Sequence, residues 1–208
     1  MARSVICVSH ETGAGGPAVA AELADRLGYR YVDEEVIVSA ARREGVTVEA
    51  LADVEKRKSF FGRIMDEFGR SQVGMLGVYG IPVDVLEQMA EPDKLRVLIR
   101  QSIEEIAAEG NVVMVSHAAS YALAGRDDAL RVFVVGTPDR RTANVAEAND
   151  LDDAAARKSV AAHDTARADY LKRFYGVAKE QPCDYDVVVN TDHLSPSQAA
   201  DVIAAAAG

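Results

Sequence analysis

The sequence predicts an α/β fold with a parallel sheet covered by helices on both faces. Three observations carry that expectation. Short β-rich runs alternate with longer segments of helical periodicity, the pattern of repeated strand–helix–strand units. Three of the runs, Val-Ile-Cys-Val at 5–8, Val-Val-Met-Val at 112–115 and Arg-Val-Phe-Val-Val at 131–135, are almost continuously apolar, as strands buried on both faces are. Between the first run and the first helical segment lies the glycine-rich stretch His10-Glu11-Thr12-Gly13-Ala14-Gly15-Gly16-Pro17.

Strands are expected at 4–9, 29–33, 111–116, 130–136 and 186–190. Val19, Leu23 and Leu27, spaced four apart, share one face of a first helix, and Gly28 follows as its stop. Leu95, Leu98, Ile99, Ile103 and Ile106 trace a second apolar face, ended by Gly110. Ser195 supplies a hydroxyl N-cap and Pro196 a φ suited to the first turn, so the last helix is expected to start there and run to Ala207. A segment at about 53–92 breaks the alternation between the second and third strands. It carries Lys56, Arg57 and Lys58, then Phe60 and Phe61, then a glycine-dotted stretch from Gly74 to Gly80. Two readings of it stand side by side. One is an acceptor-binding element in which Lys56, Arg57, Lys58, Arg63 or Arg70 meets a phosphate; the other is a solvated charged face whose Phe and Met residues pack on the core or on the second subunit of a homodimer.

At 208 residues and 22.3 kDa the chain suffices for one domain with a sizeable core. Its 23 Lys and Arg against 33 Asp and Glu leave a formal net charge of −10. That argues against a general nucleic-acid binder, and it means that an anionic ligand must be held by a local site. No uncharged apolar run approaches the roughly 18 residues of a membrane span, and the N-terminal apolar stretch lacks a small-residue cleavage pattern. A cytoplasmic protein without membrane or nucleic-acid partners is therefore expected. Cys7 and Cys183 make neither a disulfide framework nor a paired metal motif.

Strand, glycine-rich loop and helix in succession form a phosphate-loop arrangement. Glycines are needed there because main-chain N–H groups must turn inward to meet phosphate oxygens beside the positive end of the helix. Gly13, Gly15 and Gly16 supply that freedom. Against the strict template G-x-x-x-x-G-K-[ST] only Gly15 fits: His10 stands at the first glycine, Gly16 at the lysine and Pro17 at the magnesium-binding hydroxyl. A glycine turn without a ligand is the other reading of the same residues.

The stretch Ser9-His10-Glu11-Thr12-Gly13-Ala14-Gly15-Gly16, followed by Leu27-Gly28 and Asp33 five residues on, resembles the opening S-R-E-x-G-S-G-G and L-G-x-x-x-x-D of the cytidylate kinase-like family, P-loop relatives of the nucleoside monophosphate kinases. The helix, strand and turn at 106–121 are similar to that family's V-G-R-x-A-x-Y region, with Ser116-His117 in place of Gly-Arg. The most specific likeness comes later. Asp164-Thr-Ala-Arg167-Ala-Asp-Tyr170 and Tyr185-Asp186-Val-Val-Val-Asn190-Thr191, before Leu194, look like the family's D-x-x-R-x-x-Y and Y-D-x-x-I-N-T-x-x-L segments.

The resemblance implies a three-layer P-loop kinase fold: a five-stranded parallel sheet flanked by helices, one domain over 1–208, with the 53–92 insertion and a lid-like helical region at about 138–180. It implies small-molecule nucleotides as ligands and phosphoryl transfer from ATP, with Mg2+ carried by the nucleotide, to a pyrimidine nucleoside monophosphate. Phosphate binding falls to His10, Gly13, Ala14, Gly15, Gly16 and His117, catalysis to Arg140, Arg141, Arg167 and Arg173, and acceptor binding to Asp33, Asp164 and Tyr170. Read from the residues alone, Asp164 and Arg167 also form an ordinary i, i+3 pair, and Asp33 an acidic helix start. The chain departs from the family where charge matters, with His10 and His117 in place of arginines and Pro17 where a basic residue is common. One arginine at the transition state is worth on the order of 10³ to 10⁵ in rate. Histidine, titrating near pH 6.5, is a partial substitute or else a packing residue. No Asp follows the third strand, so no metal ligand is assigned. Two functions follow: an ATP-dependent nucleoside monophosphate kinase-like enzyme, or a catalytically degenerate nucleotide-binding or regulatory protein on the same fold.

Overall fold

Val5, Ile6, Cys7 and Val8 are fully buried because each face of their strand carries a helical layer. The computed structural model describes residues 3–33 and 92–208. In chain order these form β1 (Val5–His10), α1 (Gly16–Leu27), β2 (Arg30–Val32), α2 (Pro92–Glu109), β3 (Val112–Val115), α3 (Ala119–Ala122), β4 (Ala129–Val135), α4 (Pro138–Asn149), α5 (Asp153–Tyr175), a 3-10 turn (Pro182–Asp184), β5 (Val187–Asn190) and α6 (Pro196–Ala207). The strands lie in one sheet of order β2-β3-β1-β4-β5 with every pair parallel. This is the expected five-stranded parallel sheet flanked by helices.

The period-2 alternation of a strand divides the core in two. Ile6, Val8, Val113, Val115, Val132 and Val134 pack on one side against Val19 and Leu23 of α1 and Ile203 of α6. Val5, Cys7, Val112 and Met114 pack on the other against Ile99, Ile103 and Ile106 of α2 and Leu123. Each such fully buried aliphatic contributes roughly 1.5–3 kcal/mol. The cap residues set the helix ends as the sequence indicates. Gly28 takes a left-handed conformation with its N–H on the last turn of α1, and Ser195 caps α6 in a reciprocal box with Gln198.

The second strand is shorter than expected, because Tyr29 spends its N–H on Ala24 O, closing α1, before the ladder begins at Arg30. The expected lid-like region at 138–180 contains α4 and α5, joined through Val145, Ala156 and Val160. Apart from Pro92, the 53–92 insertion lies outside the described residues, and with it Lys56, Arg57, Lys58, Arg63 and Arg70. Among the described residues no helix is long and apolar enough to cross a membrane. Because all five strands run parallel, the loop after β1, Asp33, Ser116 and His117, Gly136 and Thr137, and Thr191 and Asp192 gather along one edge, where ligands of open α/β sheets bind.

Candidate phosphate-binding site

The loop leaving β1 reverses direction through left-handed glycines at Gly13 (φ 82°) and Gly15 (φ 77°). α1 then starts at Gly16 without any side-chain cap. Six consecutive carbonyls are held by protein donors. His10 O accepts from Arg167 Nη1 (2.5 Å), Glu11 O from Ala14 N–H (3.0 Å), and Thr12 O from Arg141 Nη1 (3.2 Å). Gly13 O accepts from Asn144 Nδ2 (2.8 Å), Ala14 O from the Thr191 hydroxyl (2.8 Å), and Gly15 O from Val19 N–H (3.1 Å). Glu11 N–H is used by Val134 O at 2.9 Å. The N–H groups of Thr12, Gly13, Gly15 and Gly16 make no hydrogen bond among the described residues. Carbonyls anchored and amides unspent, beside the positive end of α1, make a nest for an anion.

Arg141 is the underside of this nest. Its side chain is only 7 % exposed and makes a two-pronged pair with Asp164 at 3.0 and 2.9 Å, while its Nε lies 3.4 Å from Glu11 Oε2. Burial opposes its charge, but the hydrogen bond and charge of Asp164, with the charge of Glu11, outweigh that and raise its pKa. Glu11 also accepts from Gly136 N–H at 3.1 Å, tying the loop to the end of β4. Gly13 is glycine for two reasons here: its positive φ, and a Cβ that would lie 2.4 Å from Arg141 O. Asp164 and Arg167 sit one turn apart on α5, yet each takes a different partner: Asp164 pairs with Arg141, and Arg167 with Glu180.

His10 packs against the start of α1, with His117 beside it. A Cβ on Gly16 would fall 2.4 Å from His10 Cβ and Cγ, so His10 fills the volume in which a template lysine would begin. His10 Nδ1 is 3.1 Å from Glu11 O, its ring is 5.2 Å from that of His117, and Ser9 Oγ lies 3.3 Å from His117 Nδ1. Burial lowers the pKa of His10; the bond to Glu11 O and the charge of Asp33 resist this, and Arg167 adds to it. Burial drives His117 well below the ordinary histidine value, reinforced by His10 and Arg167. Both shifts favour the neutral ring. Arg167 meanwhile covers the Phe133 ring at 5.0 Å and pairs with Glu180, which also accepts from the Tyr185 hydroxyl. Burial raises the pKa of Glu180 against the pull of Arg167.

The other candidates are more dispersed. Arg140 is exposed at the start of α4 and makes no ion pair among the described residues. Arg173 is exposed, with its guanidinium 5.5 Å from the Phe174 ring. Tyr170 belongs to a ring cluster with Phe174 and Tyr175. Asp33, exposed beyond β2, accepts from the Tyr31 hydroxyl at 3.0 Å. Sequence reasoning passed over Asn144, Thr191 and Glu180. Asn144 follows Arg141 by one turn of α4, and Thr191 ends the quoted Asn-Thr pair, so spacing offered a signal for both; Glu180 lies in an irregular stretch that offered none.

The described residues suit phosphates better than magnesium. Pro17 has no hydroxyl, Ser9 is fully buried beside His117, and Ser116 Oγ accepts from Ala118 N–H. Glu11 is taken by Gly136 and Arg141, and no cluster of metal-ligating side chains occurs among the described residues.

A model of the cytidylate kinase-like family matches residues 5–193, which spans the loop, all five strands and α5. The chain belongs to the cytidylate kinase-like family. Among solved structures, this family member is similar to an uncharacterized protein from Eubacterium ventriosum at 16 % identity and TM-score 0.64, covering 96 % of this chain and 94 % of that one. It is also similar to shikimate kinase from Bacteroides thetaiotaomicron, at 16 % identity and TM-score 0.52, covering 96 % and 95 %. TT1252 from Thermus thermophilus matches at 16 % identity and TM-score 0.50, covering 100 % and 98 %. No curated protein matches the chain. At these identities the neighbours show the fold, a P-loop kinase fold. The family assignment makes the protein nucleotide-kinase-like.

Proposed function

We propose that the glycine loop binds the phosphates of ATP and that the protein transfers the terminal phosphoryl group to a pyrimidine nucleoside monophosphate. One observation carries the reading: the six carbonyls from His10 to Gly15 are all held by the protein while the N–H groups of Thr12, Gly13, Gly15 and Gly16 are not. A loop built to turn would have no reason to anchor every carbonyl away from four neighbouring amides. Pre-aimed amides neutralise developing charge without reorganising, which is most of what phosphoryl transfer asks of a protein. Arg141 acts as a positioning residue, fixing Thr12 O from below. Arg140, unpaired among the described residues, is the cation available to the transferred group, and Asp33 the carboxylate available to the acceptor. ATP supplies the phosphoryl group, and its Mg2+ travels with it.

A second reading has its own support. Arg141 and Arg167, the arginines that touch the loop, are each matched by carboxylates, and the histidines beside it are shifted toward the neutral ring. Charge-balanced arginines favour nucleotide binding without turnover. Calorimetric titration with Mg-ATP, with and without CMP, followed by a CDP-formation assay, separates the two. Millimolar affinity corresponds to about 4 kcal/mol and gives saturable heat. Heat with CDP formation supports the kinase, heat without product the binding protein, and silence at high ligand concentration removes both.

A further inference from the structure

The charge that the loop lacks has a candidate source, and the case for it rests on the reading that the loop binds phosphate. His10 is half-buried, and a Cβ added at Gly16 would lie 2.4 Å from its Cβ and Cγ and 2.7 Å from its Cδ2, so the ring packs against the first residue of α1, whose N–H is unspent. Nδ1 faces Glu11 O, an obligate acceptor, so Nδ1 carries the hydrogen of the neutral ring and Nε2 carries a lone pair. Nε2 makes no hydrogen bond among the described residues. A lone pair repels a phosphate oxygen; an N–H at the same atom donates to it. We propose that His10 is a proton-gated phosphate ligand: a phosphate anion entering the loop draws a proton from solvent onto Nε2, and the resulting imidazolium supplies the positive charge that a lysine provides in the strict template.

The groups facing His10 explain why the free loop holds the ring neutral. Arg167 of α5 touches its carbonyl and opposes a second positive charge, as does the N-terminus of α1. His117, after β3, is a neutral neighbour with Ser9 behind it. Glu11 is matched by Arg141 and Gly136 N–H, and Glu180 by Arg167. Asp33 and the bond to Glu11 O are the features that favour the proton. Burial tips this balance toward the neutral ring, and a multiply charged anion at the amides reverses it. The same geometry accounts for Gly16, since any side chain there would displace the ring.

The test is calorimetry of the full chain with Mg-ATP and, separately, with inorganic pyrophosphate, from pH 6 to 8.5 in buffers of different ionisation heat. Wild type is compared with His10→Arg and His10→Gln. The ligand's own protonation is common to all three proteins. Wild type is expected to take up close to one proton more per site than either variant, within the window between the free and bound pKa values of His10. Its Kd should rise there by a factor approaching about ten per pH unit. His10→Arg should bind with little pH dependence, and His10→Gln weakly throughout. Proton uptake and pH slope shared by wild type and His10→Gln would overturn the proposal while leaving the loop reading intact. No saturable heat for either ligand with any protein at any pH would overturn the loop reading, and this inference with it.

Discussion

Alanine at Gly13 and at Gly15 tests the loop geometry through a difference. Both glycines have positive φ, 82° and 77°, a conformation that costs an L-residue about 1–2 kcal/mol. Only at Gly13 does the added Cβ meet anything: Arg141 O at 2.4 Å, with Arg141 C and Cα at 3.0 Å, whereas at Gly15 nothing lies within 4 Å. The obstacle is backbone at the start of α4 and cannot rotate away. Forcing a methyl into packed backbone costs a further 1–3 kcal/mol or so. Gly15→Ala should therefore lose about 1–2 kcal/mol, and Gly13→Ala about 2–5 kcal/mol. For a chain of this size these correspond to drops in Tm of roughly 2–8 °C and 4–20 °C. Urea unfolding monitored by circular dichroism reads both values. Equal losses, or a larger one at Gly15, would show that α4 does not press on the loop at Gly13 and would refute the placement of Arg141 beneath it.

Three further outcomes follow from the same geometry. Arg141→Met strands Asp164, Glu11 and Thr12 O, and should cost about 3 kcal/mol in urea unfolding, at the lower end for a broken buried pair because Asp164 is 36 % exposed; Asp164→Asn, which keeps an acceptor, should cost less than half as much, and equal costs would contradict the pairing. Thr191→Val removes the hydroxyl donated to Ala14 O and should cost about 1 kcal/mol while weakening Mg-ATP binding; an unchanged Kd would detach Thr191 from the site. His117 has a folded pKa well below its unfolded value of 6.5, so its neutral form contributes stability above pH 6.5 that is lost as pH falls from there toward the folded pKa. Urea midpoints measured from pH 8 to pH 5 should decline less in His117→Gln than in wild type, and identical slopes would contradict the lowered pKa of this half-buried ring.

The layered fold was legible because it rests on local signals. Continuous apolar runs at 5–8 and 112–115 require cover on both faces, and Gly28, Ser195 and Pro196 mark helix ends through backbone conformation and capping chemistry that act within a few residues. Glycine spacing likewise pointed to the loop. What the sequence did not disclose is how the arginines are spent. Asp164 and Arg167 have i, i+3 spacing, yet α4 brings Arg141 to Asp164 and the chain after α5 brings Glu180 to Arg167, so longer-range contacts override the local pair. The same holds for His10. Beside a glycine loop a histidine reads equally as a charge or as a packing residue, and only the structure shows its ring packed against Gly16, where burial lowers its pKa. Charge at this site is set by tertiary packing, which spacing along the chain does not encode.

The central claim, that the unspent amides of the loop receive phosphate, is tested most directly by the ¹H–¹⁵N resonances of Gly13, Gly15 and Gly16 during a Mg-ATP titration. Saturable downfield shifts of these amides, larger than those of Gly28 and Gly176 at distant helix ends, are the result the account predicts. Glycine-loop resonances that stay in place while calorimetry reports saturable binding would contradict it, and would move the nucleotide to another part of the sheet edge.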